Sequence, residues 1–199
     1  MHSATHQAID AVWRLECARI VAAIARVVRD VGLAEELAQD ALVAALEHWP
    51  TAGVPDNPGA WLMATAKNRA LDRLRRDKVL QAKLEQIGSD LQAQEAFVVP
   101  DFVDQLDAAR ADEIGDDLLR LIFTACHPVL PTDARVALTL KLVAGLTTHE
   151  IARAYLVPEP TIAQRIVRAK RTLSEAGVPF DLPRGAALGQ RLASVLEVV

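Results

Sequence analysis

Apolar residues recur every three or four positions along most of the chain, and this spacing predicts amphipathic helices. The first is expected from Ile9 to Val31, with Gly32 as its stop. The second runs from Leu33 to Trp49 and should end at Pro50, because proline disrupts a helix interior. Strand-type alternation is absent almost everywhere, so the predicted fold class is all-α. The expected core face of the second helix is Ala34, Leu37, Ala38, Ala41, Leu42 and Ala45.

A third helix is predicted from Ala60 to Lys78, after a loop of turn-forming residues from Thr51 to Gly59. Its apolar stripe, at steps of four, is Leu62, Ala66, Ala70 and Leu74. Its basic side chains are Lys67, Arg69, Arg73, Arg75, Arg76 and Lys78. One interpretation is a core helix with a solvated cationic back. The excess of arginine and the scarcity of acidic residues four positions away favour a phosphate-binding surface instead.

Trp61 stands at the start of this basic helix, beside the loop. An aromatic ring at such a place can stack on an unpaired nucleic-acid base. A tryptophan that opens a helix is more often a core anchor, and we favour that interpretation.

The periodicity weakens after the third helix, which indicates a domain boundary. Residues 85–115 are expected to form an acidic linker with one short helix from Asp101 to Ala111. The linker would join two small helical domains, at residues 8–84 and 116–175. The second domain should begin with two short core helices, Leu118 to Cys126 and Thr132 to Ala144.

A helix-turn-helix pattern follows in the second domain. Thr147 and Glu150 have the spacing of a capping box, which starts a helix at Thr148 that runs to about Tyr155. After a break at Leu156-Val157-Pro158, a longer helix extends from Pro160 to Leu173. Ile162, Ile166, Ala169 and Leu173 should face inward, which leaves Thr161, Gln164, Arg165, Arg168 and Arg171 outside. A trihelical bundle with a solvated face is the alternative, but cap, turn and charge together favour DNA binding.

Charge is segregated along the chain, although the total of 22 basic and 26 acidic residues leaves a net charge of only −4. Residues 67–83 hold seven basic and two acidic side chains, whereas residues 85–117 hold ten acidic ones and a single arginine. Residues 153–171 are basic again. Two cationic islands therefore flank an acidic strip, a distribution that is compatible with nucleic acid despite the acidic total.

No pattern in the sequence points to catalysis, a metal or a cofactor. Cys17 and Cys126 have no ligand spacing and are expected to be buried free thiols. His48, His127 and His149 stand alone, and nucleophile, phosphate-loop and metalloprotease motifs are absent. No apolar run approaches the roughly 18 residues of a membrane span, and the N-terminus does not resemble a signal peptide, so we expect a cytoplasmic protein.

The second helix carries an acidic surface without a basic side chain three or four residues away. Its members are Glu35, Glu36, Gln39 and Asp40. For Glu35 and Glu36 alone, the favourable effect of the helix dipole on acids in a first turn is a sufficient explanation. Asp40 lies beyond that reach, which indicates a basic partner surface.

Three stretches together resemble the extracytoplasmic-function (group IV) sigma factors of the sigma-70 family. AEELAQDALVAALEHW (residues 34–49) looks like their core-binding helix and AWLMATAKNRALDRLRR (residues 60–76) like their promoter-melting helix. THEIARAYLVPEPTIAQRIVRAKRTL (residues 148–173) looks like the helix-turn-helix of their fourth domain. The resemblance covers about residues 8–175 in the expected order, and it implies promoter recognition, DNA melting and transcription initiation without enzymatic activity.

The resemblance also implies roles for particular positions. The acidic surface of the second helix would dock on the polymerase β′ clamp, and the second domain on the β flap. The minus-ten element would be bound and opened by Trp61, Lys67, Asn68, Arg69, Arg73 and Arg76, with the loop Thr51 to Gly59 capturing a flipped base. The minus-thirty-five element would be bound by Thr161, Gln164, Arg165, Arg168, Lys170 and Arg171. An anti-sigma factor or the chain's own C-terminal region would control activity.

The sequence departs from the family pattern in three places. Leu156 occupies a turn position that many members fill with glycine, and a left-handed leucine would cost on the order of 1 kcal/mol. Ala163 and Gln164 replace a common Lys-Ser pair. Residues 176–199 extend past the usual end, as the start of a C-terminal extension or as a short docking helix. A stand-alone helix-turn-helix regulator and a helical interaction scaffold are the alternative functions.

Overall fold

The computed structural model describes residues 2–88 and 111–198, and the regular structure in these ranges is entirely helical, which confirms the all-α prediction. The helices are α1 His2–Val28, α2 Val31–Ala52, α3 Pro58–Gly88, α4 Ala111–Ala125, α5 Thr132–Leu142, α6 Thr148–Ala154, α7 Glu159–Glu175 and α8 Ala186–Leu196. Most of the predicted linker and its short helix lie outside the described residues, so that part of the domain division stays a prediction.

The corner between α1 and α2 differs from the predicted one. Arg29 takes a left-handed conformation with φ of 58°, which ends α1 before the expected stop at Gly32. Asp30 then caps α2, because its Oδ1 accepts a hydrogen bond of 2.8 Å from the backbone N–H of Leu33. Gly32 therefore belongs to the first turn of α2, since a side-chain cap replaced the glycine stop.

The end of α2 is also later than predicted. Pro50 lies inside the helix, which continues to Ala52 and stops at Gly53 with φ of 90°. A hydrogen bond of 3.0 Å from Gly53 N to Trp49 O closes this last turn. The prediction that Pro50 ends the helix was wrong, because proline can adopt helical angles near a terminus while surrounding bonds hold the turn.

Helices α1, α2 and α3 form the first domain around small side chains. Ala38 and Ala41 of α2 and Ala66 of α3 are fully buried, which lets the helix axes approach closely. The predicted stripe of α3 is confirmed: Leu62 and Ala70 are also fully buried, and Leu74, further along, is half-buried. The remainder of the expected core face of α2 is buried apart from Leu42, which is half-buried.

Helix α3 continues well beyond the predicted end at Lys78, to Gly88. Its side chains from Arg75 to Lys83 are exposed. Intrahelical ion pairs and residues with high helix propensity, such as Gln81 and Ala82, stabilise this part of the helix without contacts to the core.

Helices α4 to α7 form the second domain, in which the helix-turn-helix prediction is confirmed. Thr147 and Glu150 make both hydrogen bonds of the capping box, and α6 ends at Ala154. Leu156 is left-handed with φ of 54° and is 93% exposed, so the turn uses leucine where the family pattern has glycine. The predicted inward residues of α7 are all buried, namely Ile162, Ile166, Ala169 and Leu173.

The C-terminal segment docks on the second domain. Phe180 is buried, and the guanidinium of Arg191 in α8 donates a hydrogen bond of 2.7 Å to the carbonyl oxygen of Phe123 in α4. Arg135 of α5, itself buried, donates to the carbonyl oxygen of Ser194 at 3.2 Å. Residues 186–196 thus form a helix that packs on the second domain, which is compatible with both sequence expectations for this segment.

The two domains contact each other directly. Helix α1 packs along α4 and also touches α5, while α2 contacts α7. Within the described ranges, no helix combines the length and the hydropathy that crossing a membrane would require.

Candidate functional site

The outer face of α7 is the first candidate surface. Thr161, Gln164 and Arg168 are exposed on it, because the opposite side of the helix is committed to the core. Together with Arg165 they line one shallow groove against Pro131 and the start of α5. The N-terminal half of the helix thus presents an amide, a hydroxyl and guanidinium groups, the donors and acceptors that can bind base edges and phosphates.

Arg165 is less free than the sequence indicates. Its side chain is half-buried, and its Nε lies 3.0 Å from Oδ2 of Asp133 on α5. The ion pair therefore lies in the wall of the groove, which both residues line. The expectation that Arg165 is simply exposed was wrong, because a neighbouring helix supplies an acid that the local sequence does not.

Lys170 and Arg171 lie apart from that groove. Arg171 is exposed and forms an intrahelical pair with Glu175, in which Nε and Oε1 are 2.6 Å apart. Lys170 faces the first domain instead, where its Nζ meets Glu35. The six residues assigned to the minus-thirty-five element therefore divide into a groove of four and two positions outside it.

The basic face of α3 is the second candidate surface, and its arginines have partners. Arg73 Nε lies 3.1 Å from both carboxylate oxygens of Asp77, and Arg69 reaches Asp40 of α2 at 3.6 Å. Surface pairs of this kind contribute roughly 0 to 1 kcal/mol, so a phosphate can replace the acid at little cost. The sequence indicated few acids near these arginines, and the structure adds Asp40 from the neighbouring helix as a partner of Arg69. Asn68, Arg73 and Arg76 are exposed.

Trp61 packs against Trp49 at the mouth of α3. The ring centroids are 5.4 Å apart and the planes meet at 70°, an edge-to-face contact. Trp49 is 2% exposed, whereas Trp61 is half-buried. The core-anchor interpretation of Trp61 is supported, with part of the ring left beside the loop. The role of Trp49 was missed because its partner is on another helix.

The acidic surface of α2 is divided by the second domain. Glu36, Gln39 and Asp40 are exposed, but Glu35 is buried at 4% exposure. Its Oε2 lies 2.5 Å from Lys170 Nζ and its Oε1 lies 3.8 Å from Lys141 Nζ. Gln39 Nε2 donates to the same Oε1 at 2.8 Å. Lys141 was not among the predicted site residues, because nothing local in the sequence pairs it with Glu35.

The thiols and possible metal ligands add no chemistry to these surfaces. Cys17 and Cys126 are buried and free, as predicted, and burial raises the pKa of both thiols. In the part of the chain that the structure describes, no cluster of histidine, cysteine and acidic side chains could hold a metal ion.

Family comparisons match both domains in the order in which they occur. The model for sigma-70 region 2 covers residues 16–79 and the model for sigma-70 region 4 covers residues 120–173. The chain is also 32% identical over 161 residues to the ECF RNA polymerase sigma factor SigK of Mycobacterium ulcerans, which covers 79% of each chain. This chain belongs to the ECF sigma factors of the sigma-70 family. Members of this family are DNA-binding regulators rather than enzymes.

Two further relatives are longer than this chain. An uncharacterized protein of Rhizobium meliloti is 39% identical over 178 residues, which are 89% of this chain but 40% of the relative. The probable ECF RNA polymerase sigma factor SigI of Mycobacterium tuberculosis is 27% identical over 176 residues, which are 87% of this chain and 57% of SigI. The chain thus spans less than two thirds of both of these relatives.

Proposed function

We propose that this chain binds core RNA polymerase and directs it to promoters, where it opens the DNA and allows transcription to start. The observation that carries the proposal is the arrangement of α7, the second helix of the helix-turn-helix. Its apolar side is buried while Thr161, Gln164 and Arg168 face outward in one groove. A second basic surface on α3 belongs to a separate domain, as reading two promoter elements requires.

Polymerase docking is assigned to the exposed part of the acidic surface of α2. Glu36, Gln39 and Asp40 offer acceptors to a basic partner, and we identify that partner as the β′ clamp. Glu35 would join them once it is released from the second domain. The second domain would engage the β flap. Electrostatic complementarity of this kind sets orientation and association rate as well as affinity.

Minus-ten recognition is assigned to α3 and the loop before it. Arg69, Arg73 and Arg76 would exchange their surface partners for phosphates, and Asn68 would contact a base. Lys67 would add a cation, and the half-buried ring of Trp61 would support the loop that holds a flipped base.

Minus-thirty-five recognition is assigned to the groove on α7. Gln164 can pair with adenine, and Arg165 and Arg168 can pair with guanine. Thr161 and Arg171 would contact the sugar-phosphate backbone of the DNA. Lys170 would reach phosphate only when it leaves Glu35. We also propose that the protein acts in the cytoplasm, and that an anti-sigma factor or a C-terminal extension regulates it.

Run-off transcription with purified core polymerase and a promoter library tests the proposal. Promoter-dependent transcripts should require both the core enzyme and this chain. Specific binding to DNA by the chain alone as a dimer, without such transcripts, would identify a stand-alone regulator. Absence of both activities would identify a helical scaffold.

A further inference from the structure

Glu35 is buried between two cations of the other domain. Lys170 of α7 and Lys141 of α5 both point at its carboxylate, with Nζ to oxygen distances of 2.5 and 3.8 Å. A carboxylate at 4% exposure needs paired charge, because burial removes its hydration. While the second domain covers Glu35, the two lysines therefore compensate for the hydration that its carboxylate has lost.

The same interface also holds a reciprocal pair, with the carboxylate in the second domain and a cation in the first. Asp117 of α4 is 2% exposed, and its Oδ2 lies 3.5 Å from Nε of Arg26 on α1. Arg120 of the same helix also contacts the Asp117 carboxylate. Each domain thus buries one carboxylate against a cation of the other, so separation exposes both pairs together.

The C-terminal half of α7 lies over the corner between α1 and α2. Ser174 Oγ donates a hydrogen bond of 2.9 Å to Oδ2 of Asp30, the residue that caps α2. The stem of Lys170 packs against Gly32, where an added Cβ would lie 3.6 Å from the lysine Cβ. Helix α7 therefore covers the first turns of α2, the helix that we assign to polymerase docking.

We propose that these contacts form an autoinhibitory clasp: in the free chain Glu35 holds Lys141 and Lys170, and core polymerase binds fully only after the two domains separate at this point. The inference rests on the proposed function, because it concerns the access of polymerase to α2. The clasp leaves Glu36 and Asp40 exposed for a first encounter and withholds Glu35.

The clasp also links the two binding activities. Lys170 cannot contact a DNA phosphate while it contacts Glu35, and Glu35 cannot contact polymerase while it holds Lys170. Either partner therefore favours the open state, and opening by one lowers the cost of binding the other.

A disulfide between the domains tests the clasp. A Cβ added at Gly145 would lie 2.7 Å from Sγ of Cys17 on α1, so the variant Gly145→Cys places a second thiol beside the native one. In the 199-residue chain the oxidised variant should form an intramolecular disulfide and bind core polymerase at least about tenfold more weakly than its reduced form. Reductant should restore binding.

The matched control is Gly145→Cys combined with Cys17→Ala. It carries the same backbone substitution but cannot form the bond, so oxidation should leave its binding unchanged. If the folded variant forms no disulfide, or if the oxidised form binds as tightly as the reduced one, the clasp is wrong. If the reduced form and the unmodified chain both fail to bind core polymerase, the proposed function fails instead.

A second variant keeps the test decisive if Gly145→Cys does not fold, since Gly145 has φ of 68°. Lys141→Glu places a like charge beside Glu35, which should weaken the contact between the domains. The association rate with core polymerase should therefore rise about fivefold. Arg184→Glu, an equal charge change at an exposed position, is the control. An unchanged or slower association for Lys141→Glu, with the control at the wild-type rate, would overturn the clasp.

Discussion

Arg14 donates a hydrogen bond of 2.9 Å to Oε1 of Glu150, and this bond crosses from the first domain to the helix-turn-helix. The other carboxylate oxygen of Glu150 accepts from the backbone N–H of Thr147 at 2.8 Å. One side chain therefore closes a local capping box and an interdomain contact at the same time. The start of α6 is coupled to the position of α1.

This double role predicts a pH dependence. Hydrogen bonds from Thr147, followed by the bond from Arg14, lower the pKa of Glu150 to about 2 from the usual 4.5. Because the folded pKa is depressed, the stabilisation is complete above pH 4.5 and is lost as the pH falls toward 2. Urea unfolding at several pH values should show this loss in the wild type and a smaller one in Glu150→Gln. If the free energy of unfolding depended on pH equally in both proteins, the loss of stability could not be assigned to Glu150.

His127 predicts a second pH effect in a higher range. Burial, with a smaller contribution from Arg191, lowers the pKa of His127 from 6.5 to about 4, and its Nδ1 accepts a hydrogen bond from the backbone N–H of Val129. The unfolded chain therefore takes up the proton first, so the free energy of unfolding should fall as the pH drops from 6.5 to 4. The ring is partly solvated, which limits the loss to about 1 to 2 kcal/mol. His127→Gln should flatten this part of the stability profile, and a retained slope would assign it to another group.

Asp40→Lys tests the docking surface on α2. Asp40 is exposed and its contact with Arg69 is long, so the change should alter the free energy of unfolding by less than about 0.5 kcal/mol. It should nevertheless weaken the pull-down of core polymerase, because it places a cation against a basic partner. Glu47→Lys makes the same charge change near the other end of the helix. Unchanged binding by Asp40→Lys would remove this residue from the docking surface.

Arg165→Ala tests the groove on α7. If the guanidinium reads a base, the loss should be roughly 1 to 3 kcal/mol at one upstream position and small elsewhere. Selection of minus-thirty-five sequences by the variant on core polymerase measures this, with Arg171→Ala as a control outside the groove. An equal loss across all sequences would make Arg165 a phosphate contact.

The sequence by itself determined the features whose causes are local. Helical periodicity predicted the buried side of α7, including Ile162 and Ile166, and the spacing of Thr147 and Glu150 predicted a cap that the structure confirms. At Leu156 the sequence indicated only that a left-handed leucine would be costly, and the structure shows that this residue nevertheless adopts the left-handed conformation. A helix cap or the apolar face of a helix depends only on residues a few positions apart. Both can therefore be predicted from residue spacing, without knowing which other helix packs against them.

Only the tertiary structure decided which charges meet. Glu35 had no basic neighbour within its own helix, and its partners, Lys141 and Lys170, come from helices far along the chain. The burial of Glu35 and the pairing of Arg165 with Asp133 depend likewise on how helices pack. Ion pairs between different helices depend on how all the helices pack together, and residue spacing within one helix does not determine them. For that reason the acidic surface of α2, uniform in sequence, is in the folded chain partly open to a partner and partly closed by the second domain.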